Sequence, residues 1–98
     1  LLKILKRYLY RFIYKIIHML TTQQRQQETQ RLFMKYFSNE MSSKVLIDTL
    51  ECFEEYYPAL QTLKNIKVEG LILLCKNKGI NPKGKKNDLI ARLFFNES

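Results

Sequence analysis

Residues 66–95 read IKVEGLILLCKNKGINPKGKKNDLIARLFF, and this stretch decides the architecture. Leu71, Leu74 and Cys75 fall on one helical stripe, with Val68 ahead of it. Asn77, Lys78 and Gly79 close that helix, because Gly79 takes a left-handed C-cap conformation at no steric cost. Ile80-Asn81-Pro82-Lys83-Gly84 is then extended or turned. Pro82 disfavours helix at Asn81, and Gly84 reaches dihedrals closed to other residues. Lys85, Lys86, Asn87 and Asp88 open a second helix whose apolar side is Leu89, Ile90, Leu93 and Phe94. Helix, extended strut and helix follow one another within about thirty residues. With only 3 Gly and 2 Pro in 98 residues, turn signals are few, which favours long helices over many short strands. The expected fold class is all-α.

Upstream, Thr21 and Gln24 have capping-box spacing and predict a helix start. The first half of that helix, QQRQQETQR over residues 23–31, is polar all round and predicts no core residue. Its second half offers Leu32, Phe33, Tyr36 and Phe37 at packing spacing. Asn39 and the pair Ser42-Ser43 then punctuate the chain, with Ser43 as the expected N-cap of the next helix. Leu46, Leu50, Phe53, Tyr57 and Leu60 form its apolar stripe. Pro58 removes one helical hydrogen bond and crowds the carbonyl four residues back, so a kink or restart is predicted there. Asp48, Glu51, Glu54 and Glu55 lie mostly on the other side. They read as a solvated face and not as a catalytic set, since no His accompanies them.

The first twenty residues, LLKILKRYLYRFIYKIIHML, are strongly apolar, yet their charges argue against a membrane span. Lys3, Arg7, Arg11, Lys15 and His18 recur at helical spacing, and no charge-free run reaches the roughly 18 residues that spanning needs. Ile4, Leu5, Leu9, Phe12, Ile13, Ile16 and Ile17 occupy other directions, so a basic amphipathic helix is expected. It has three uses open to it: a solvated face, a membrane-surface or import segment, or a docking surface for an acidic protein. The chain opens on Leu1, as a processed or trimmed N-terminus would.

Net charge is +8, and it is unevenly spread. Residues 1–36 carry eight Lys/Arg against one acid, residues 37–66 two against five, and residues 67–98 seven against three. A basic head and a basic tail thus flank an acidic middle, which suggests two surfaces seeking anionic partners. Hydrophobic residues at 46% and charged residues at 27% suit a folded domain, and the length excludes a large two-domain enzyme. Cys52 and Cys75 stand apart, with no CxxC and no nearby His; buried thiols are expected, with a single disulfide as the alternative, and zinc is not expected.

Leu9-Tyr10-Arg11 in a basic first helix resembles the motif of the mitochondrial LYR proteins, with Phe37 late in the second helix and Arg31 upstream of it. The resemblance covers about residues 1–64 and implies an antiparallel three-helix hairpin. It further implies a partner, the mitochondrial acyl carrier protein, which is acidic and bears an acyl-phosphopantetheine arm. Lys3, Arg7, Arg11 and Lys15 would meet its acidic side chains, and the acyl chain would lie near Leu9, Tyr10, Phe33 and Phe37. The arm belongs to the partner, so no cofactor is expected on this chain itself.

Residues 66–95 are similar to the SAP motif. Leu71, Leu74, Gly79-Ile80, Gly84-Lys85-Lys86, Leu89-Ile90 and Arg92-Leu93 carry the likeness, and Gly70 departs from it as a helix breaker inside the first helix. SAP modules usually bind nucleic acid. The resemblance therefore implies backbone contacts from Lys83, Gly84, Lys85 and Lys86, extended by Lys76, Lys78 and Arg92. Lysines at a helix start suit phosphate independently of the family, because the N–H groups and the helix dipole already favour an anion. A module this small should lean on the hairpin or on a partner.

The combined expectation is a non-catalytic adaptor of the mitochondrial matrix with units at 1–64 and 65–98. Its partners would be acyl carrier protein and nucleic acid, first of all ribosomal RNA of the mitochondrial ribosome, among neighbouring subunits of a large complex. Two alternatives stand beside it. One is a LYR-type accessory subunit of a respiratory complex with the tail as a protein prop. The other is a nuclear or viral SAP-type DNA-binding protein in which Leu9-Tyr10-Arg11 is coincidental.

Overall fold

The computed structural model describes residues 21–97. Five helices and no strand occur among them: α1 Thr22–Phe37, α2 Ser43–Leu50, α3 Tyr57–Lys64, α4 Val68–Asn77 and α5 Lys86–Glu97. The basic segment 1–20, with Lys3, Arg7, Leu9, Tyr10, Arg11 and Lys15, lies outside the described residues.

Each boundary has a local cause. At the start of α1 the Thr21 hydroxyl accepts from the Gln24 N–H at 3.2 Å, and the Gln24 side chain accepts from the Thr21 N–H at 2.9 Å. The expected capping box is thus complete. Asn39 leaves α1 with φ +64°, a left-handed conformation that Asn tolerates better than most residues. Ser42, one residue before the expected cap, accepts from the Val45 N–H at 3.3 Å and starts α2. The predicted interruption at Pro58 is present as a restart. The chain leaves helix after Leu50, crosses a turn, and begins α3 with Pro58 in its first turn, where no intrahelical N–H is required.

Glycine closes α4. Gly79 has φ +72°, the Ile80 N–H reaches the Cys75 carbonyl at 2.8 Å, and the Gly79 N–H reaches the Lys76 carbonyl at 3.2 Å. These are the two hydrogen bonds of a Schellman motif. Gly70, the departure inside α4, is explained by proximity: a Cβ there would sit 2.8 Å from Ile66 Cγ2. The helix accepts the propensity penalty of glycine and gains the close approach of Ile66.

The core runs through both halves of the chain. Leu46, Ile47, Leu50, Phe53 and Leu60 share one buried cluster with Leu71, Cys75, Leu89, Ile90 and Leu93, all at 0–1% exposure. Helix α5 packs against α2, α3 and α4. Aromatic contacts add α1: Phe33 lies 6.2 Å from Phe94 and 5.0 Å from Phe95, centroid to centroid, and Phe37 lies 5.0 Å from Phe95. Offset and tilted rings at these separations add modestly to simple burial.

One polar residue breaks the expected pattern of α1. Thr29, in the segment that predicted no core, is buried at 6% exposure. Its hydroxyl donates to the Arg25 carbonyl at 2.8 Å, which uses its single proton. The Tyr56 hydroxyl, 3.2 Å away, therefore donates to it. With both valences filled the burial costs little.

Candidate nucleic-acid interface

The expected contact residues differ in their exposure and in the partners the fold gives them. Lys76 lies in the last turn of α4, Lys78 caps that helix, and Lys83 and Lys85 flank Gly84 on the strut; all four lysines are exposed. Gly84 has φ +118°. Lys86 differs: it is half-buried, and its ammonium donates to the Lys64 carbonyl at 2.7 Å. That carbonyl belongs to the end of α3, where the helix dipole favours a cation. Lys86 thus ties α5 to α3. Lys64 in turn pairs through its own ammonium with Glu51.

Arg92 is also turned inward. It is half-buried, and its guanidinium donates to the Asn81 carbonyl at 3.1 Å and to the Lys83 carbonyl. The strut from Asn81 to Gly84 folds round this one side chain.

The start of α5 already holds an anion. The Leu89 N–H bonds the Lys85 carbonyl at 3.1 Å, which opens the helix on Lys85. Asp88, three residues on, accepts from the Lys85 N–H at 3.3 Å. The same carboxylate accepts from the Tyr36 hydroxyl at 2.7 Å and from the Ser43 side chain. Asp88 therefore joins the end of α1, the start of α2 and the start of α5. Tyr36, Ser42, Ser43, Lys85, Asp88 and Arg92 line an open cleft of about 480 Å³ at this junction.

This network titrates. The hydrogen bond from Tyr36 is the main cause holding the Asp88 carboxyl below its usual range, and Ser43, the Lys85 N–H and Arg92 add to it. Tyr36 is pushed up to about 12 by burial first and by its bond to Asp88 second. The two signs differ. Asp88 stabilises the fold above the carboxylate's unfolded value, and that contribution is lost as pH falls through its depressed folded value. Tyr36 contributes below its ordinary value near 10, and the contribution is lost as pH rises from there through about 12. Urea midpoints measured against pH should therefore fall at both ends. Tyr36→Phe should shrink both falls, while the buried thiols of Cys52 and Cys75, raised in the same direction, keep part of the alkaline one. An alkaline limb unchanged in Tyr36→Phe would place its origin elsewhere.

For the apolar half of the expected acyl-carrier surface, Phe33 is buried at 2% exposure and Phe37 is half-exposed. Phe37 stands with exposed Met34 and Phe95. Phe33 is core here, and Phe37 is the member of the pair that a partner can reach. Both thiols, Cys52 and Cys75, are buried and unpaired to one another, and burial raises their pKa values. Among the described residues no group of three or more His, Cys, Asp or Glu could hold a metal ion, and no helix is long and apolar enough to cross a membrane.

Sequence reading missed the Tyr36–Ser43–Asp88 junction. Its only local trace is an acid three residues after the helix-opening Lys85, which is a first-turn capping signal. Comparison with protein-family models, with curated proteins and with solved structures gives no match.

Proposed function

We propose that the chain is a non-catalytic adaptor of the mitochondrial matrix. Its SAP-like tail contacts the sugar–phosphate backbone of nucleic acid, ribosomal RNA in the first instance, and its LYR-like N-terminal half binds acyl carrier protein. The observation that supports the tail's role is the helix–strut–helix geometry itself. A Schellman-capped α4, a strut turning at Gly84 and a capped α5 leave Lys76, Lys78, Lys83 and Lys85 exposed on the strut and the helix end preceding it. Lysines contact phosphate as point charges, so such a face binds backbone and carries little sequence information. The N-terminal role rests on the resemblance of Leu9-Tyr10-Arg11 and on the half-exposed Phe37.

A second reading has its own support. Lys86 and Arg92 are committed to carbonyls of the same chain, and the apolar side of α5 is buried in the shared core. Those features suit a tail that props a protein neighbour, as in an accessory subunit of a respiratory complex.

Salt titration separates the two. Anisotropy of a labelled duplex or single strand, measured with the full chain over a range of salt, gives the slope of log affinity against log salt. Lys83→Ala/Lys85→Ala should lower that slope by up to about 1.8 on a duplex, at roughly 0.9 per lost contact. Lys86→Ala should leave the slope unchanged, because its ammonium is held by Lys64. A slope that ignores Lys83 and Lys85, or no binding to any nucleic acid, would leave the protein-prop reading.

A further inference from the structure

Arg92 has the sequence credentials of a phosphate ligand and the geometry of something else. Its Nη1 donates to the carbonyls of Asn81 and Lys83, two residues apart on the strut. Its Nη2 lies where a Cβ on Gly84 would come within 3.4 Å of it. Asn81 braces the same segment from within, its side-chain oxygen accepting from the Lys83 N–H at 3.0 Å. Lys83 therefore has both backbone groups fixed inward, one on Arg92 and one on Asn81, while its residue as a whole is exposed. The two N–H groups of Nη1 lie in the guanidinium plane and point in fixed directions at the two carbonyls; the ammonium of Lys, one atom shorter in reach and free to rotate on a flexible stem, does not hold that arrangement.

We propose that Arg92, with Asn81, is a positioning residue of the nucleic-acid face: it shapes the 81–84 strut so that Lys83 and Lys85 meet successive phosphates, and it does not itself take a phosphate. The inference rests on the nucleic-acid reading above. It changes what Arg92 contributes, from charge to loop geometry. Charge and geometry respond differently to a substitution that keeps the charge.

The test uses the full chain, a labelled 20-nucleotide RNA and the corresponding duplex, at several salt concentrations. Arg92→Lys keeps the cation, yet it should weaken binding by roughly two- to thirtyfold, the worth of two exposed charge contacts. Its salt slope should fall toward that of Lys83→Ala/Lys85→Ala. Added to that double variant, Arg92→Lys should have no further effect, since it acts through those two lysines. Asn81→Ala is the second arm: it leaves α5 untouched, and it should reproduce the loss and the non-additivity at lower amplitude. Helicity by circular dichroism accompanies each variant, and if Arg92→Lys fails to fold, Asn81→Ala alone decides. Full affinity in Arg92→Lys and Asn81→Ala, or losses that add to the double-lysine variant, would overturn the positioning role while nucleic-acid binding stands. Absence of binding by the unsubstituted chain would overturn the nucleic-acid reading, and the positioning role with it.

Discussion

Phe53→Ala is expected to lower the unfolding free energy by about 3–5 kcal/mol, much of the roughly 5–15 kcal/mol that a domain typically has. Phe53 is the largest fully buried side chain of the core, and it lies outside the helices, in the turn between α2 and α3. Its N–H bonds the Leu50 carbonyl at 3.0 Å, and its carbonyl accepts from Tyr56 and Tyr57 at 3.0 and 3.2 Å. The ring is therefore held by a backbone pinned on both sides. The surroundings have little freedom to collapse into the space a truncation leaves, which puts the cost toward the upper part of the range. Urea denaturation with matched m-values would measure it. Val45→Ala, at a half-exposed position of α2, should change stability by less than about 1 kcal/mol and serves as the control. A Phe53→Ala loss as small as that of Val45→Ala would mean that the turn is not part of the cooperative core.

The second large effect concerns the proposed acidic partner. Exposed Lys/Arg–carboxylate pairs contribute about 0.2–1 kcal/mol each, so Lys3, Arg7, Arg11 and Lys15 together give on the order of 1–4 kcal/mol. An acyl chain burying about eight CH₂ groups would contribute roughly 6 kcal/mol, at about 0.8 each. Ordering the arm and the chain offsets part of that, so it is an upper figure. The acyl chain should still dominate affinity, with the basic residues setting encounter rate and orientation. Calorimetry at fixed salt should find acylated carrier protein bound far more tightly than unacylated, and Arg11→Ala should cost less than removing the chain. Phe37→Ala, at the half-exposed ring, should weaken the acylated partner and leave the unacylated one unchanged. Equal binding of the two partner forms would end the acyl-insertion idea. Binding of neither would end the LYR assignment.

What could be read from sequence was local. The Thr21–Gln24 box, the Gly79 cap and the restart at Pro58 each depend on residues within four positions of one another, where sequence spacing fixes spatial neighbourhood. Ser42 and Ser43 illustrate the limit of that: two equivalent capping residues stand side by side, and the one-residue choice depends on which carbonyl turns first. The commitment of Lys86 and the Tyr36–Asp88 junction were not legible. Lys86 finds its carbonyl 22 positions away and Tyr36 finds Asp88 52 positions away, and no periodicity encodes either distance. Thr29 was hidden for the same reason, since Tyr56, 27 positions on, makes its burial tolerable. The candidate interface was thus legible in its residue types and spacing. Which of its cations remain for a ligand was set by tertiary partners.

Helix α5 comes last in the described chain and is buried on several sides, with Leu89, Ile90 and Ala91 at 0% exposure and Leu93 at 1%. Synthesis delivers α1 to α4 first. Until α5 leaves the ribosome, α2, α3 and α4, with Leu46, Leu50, Leu60 and Leu71 in the shared core, lack the apolar side chains that α5 brings to it. At roughly 5–20 residues per second the interval is brief, but in it the nascent chain presents apolar helices to whatever is nearby. Among the described residues α5 is thus the last element able to complete this core, and a chaperone or an assembly partner would meet the uncovered helices just before it does.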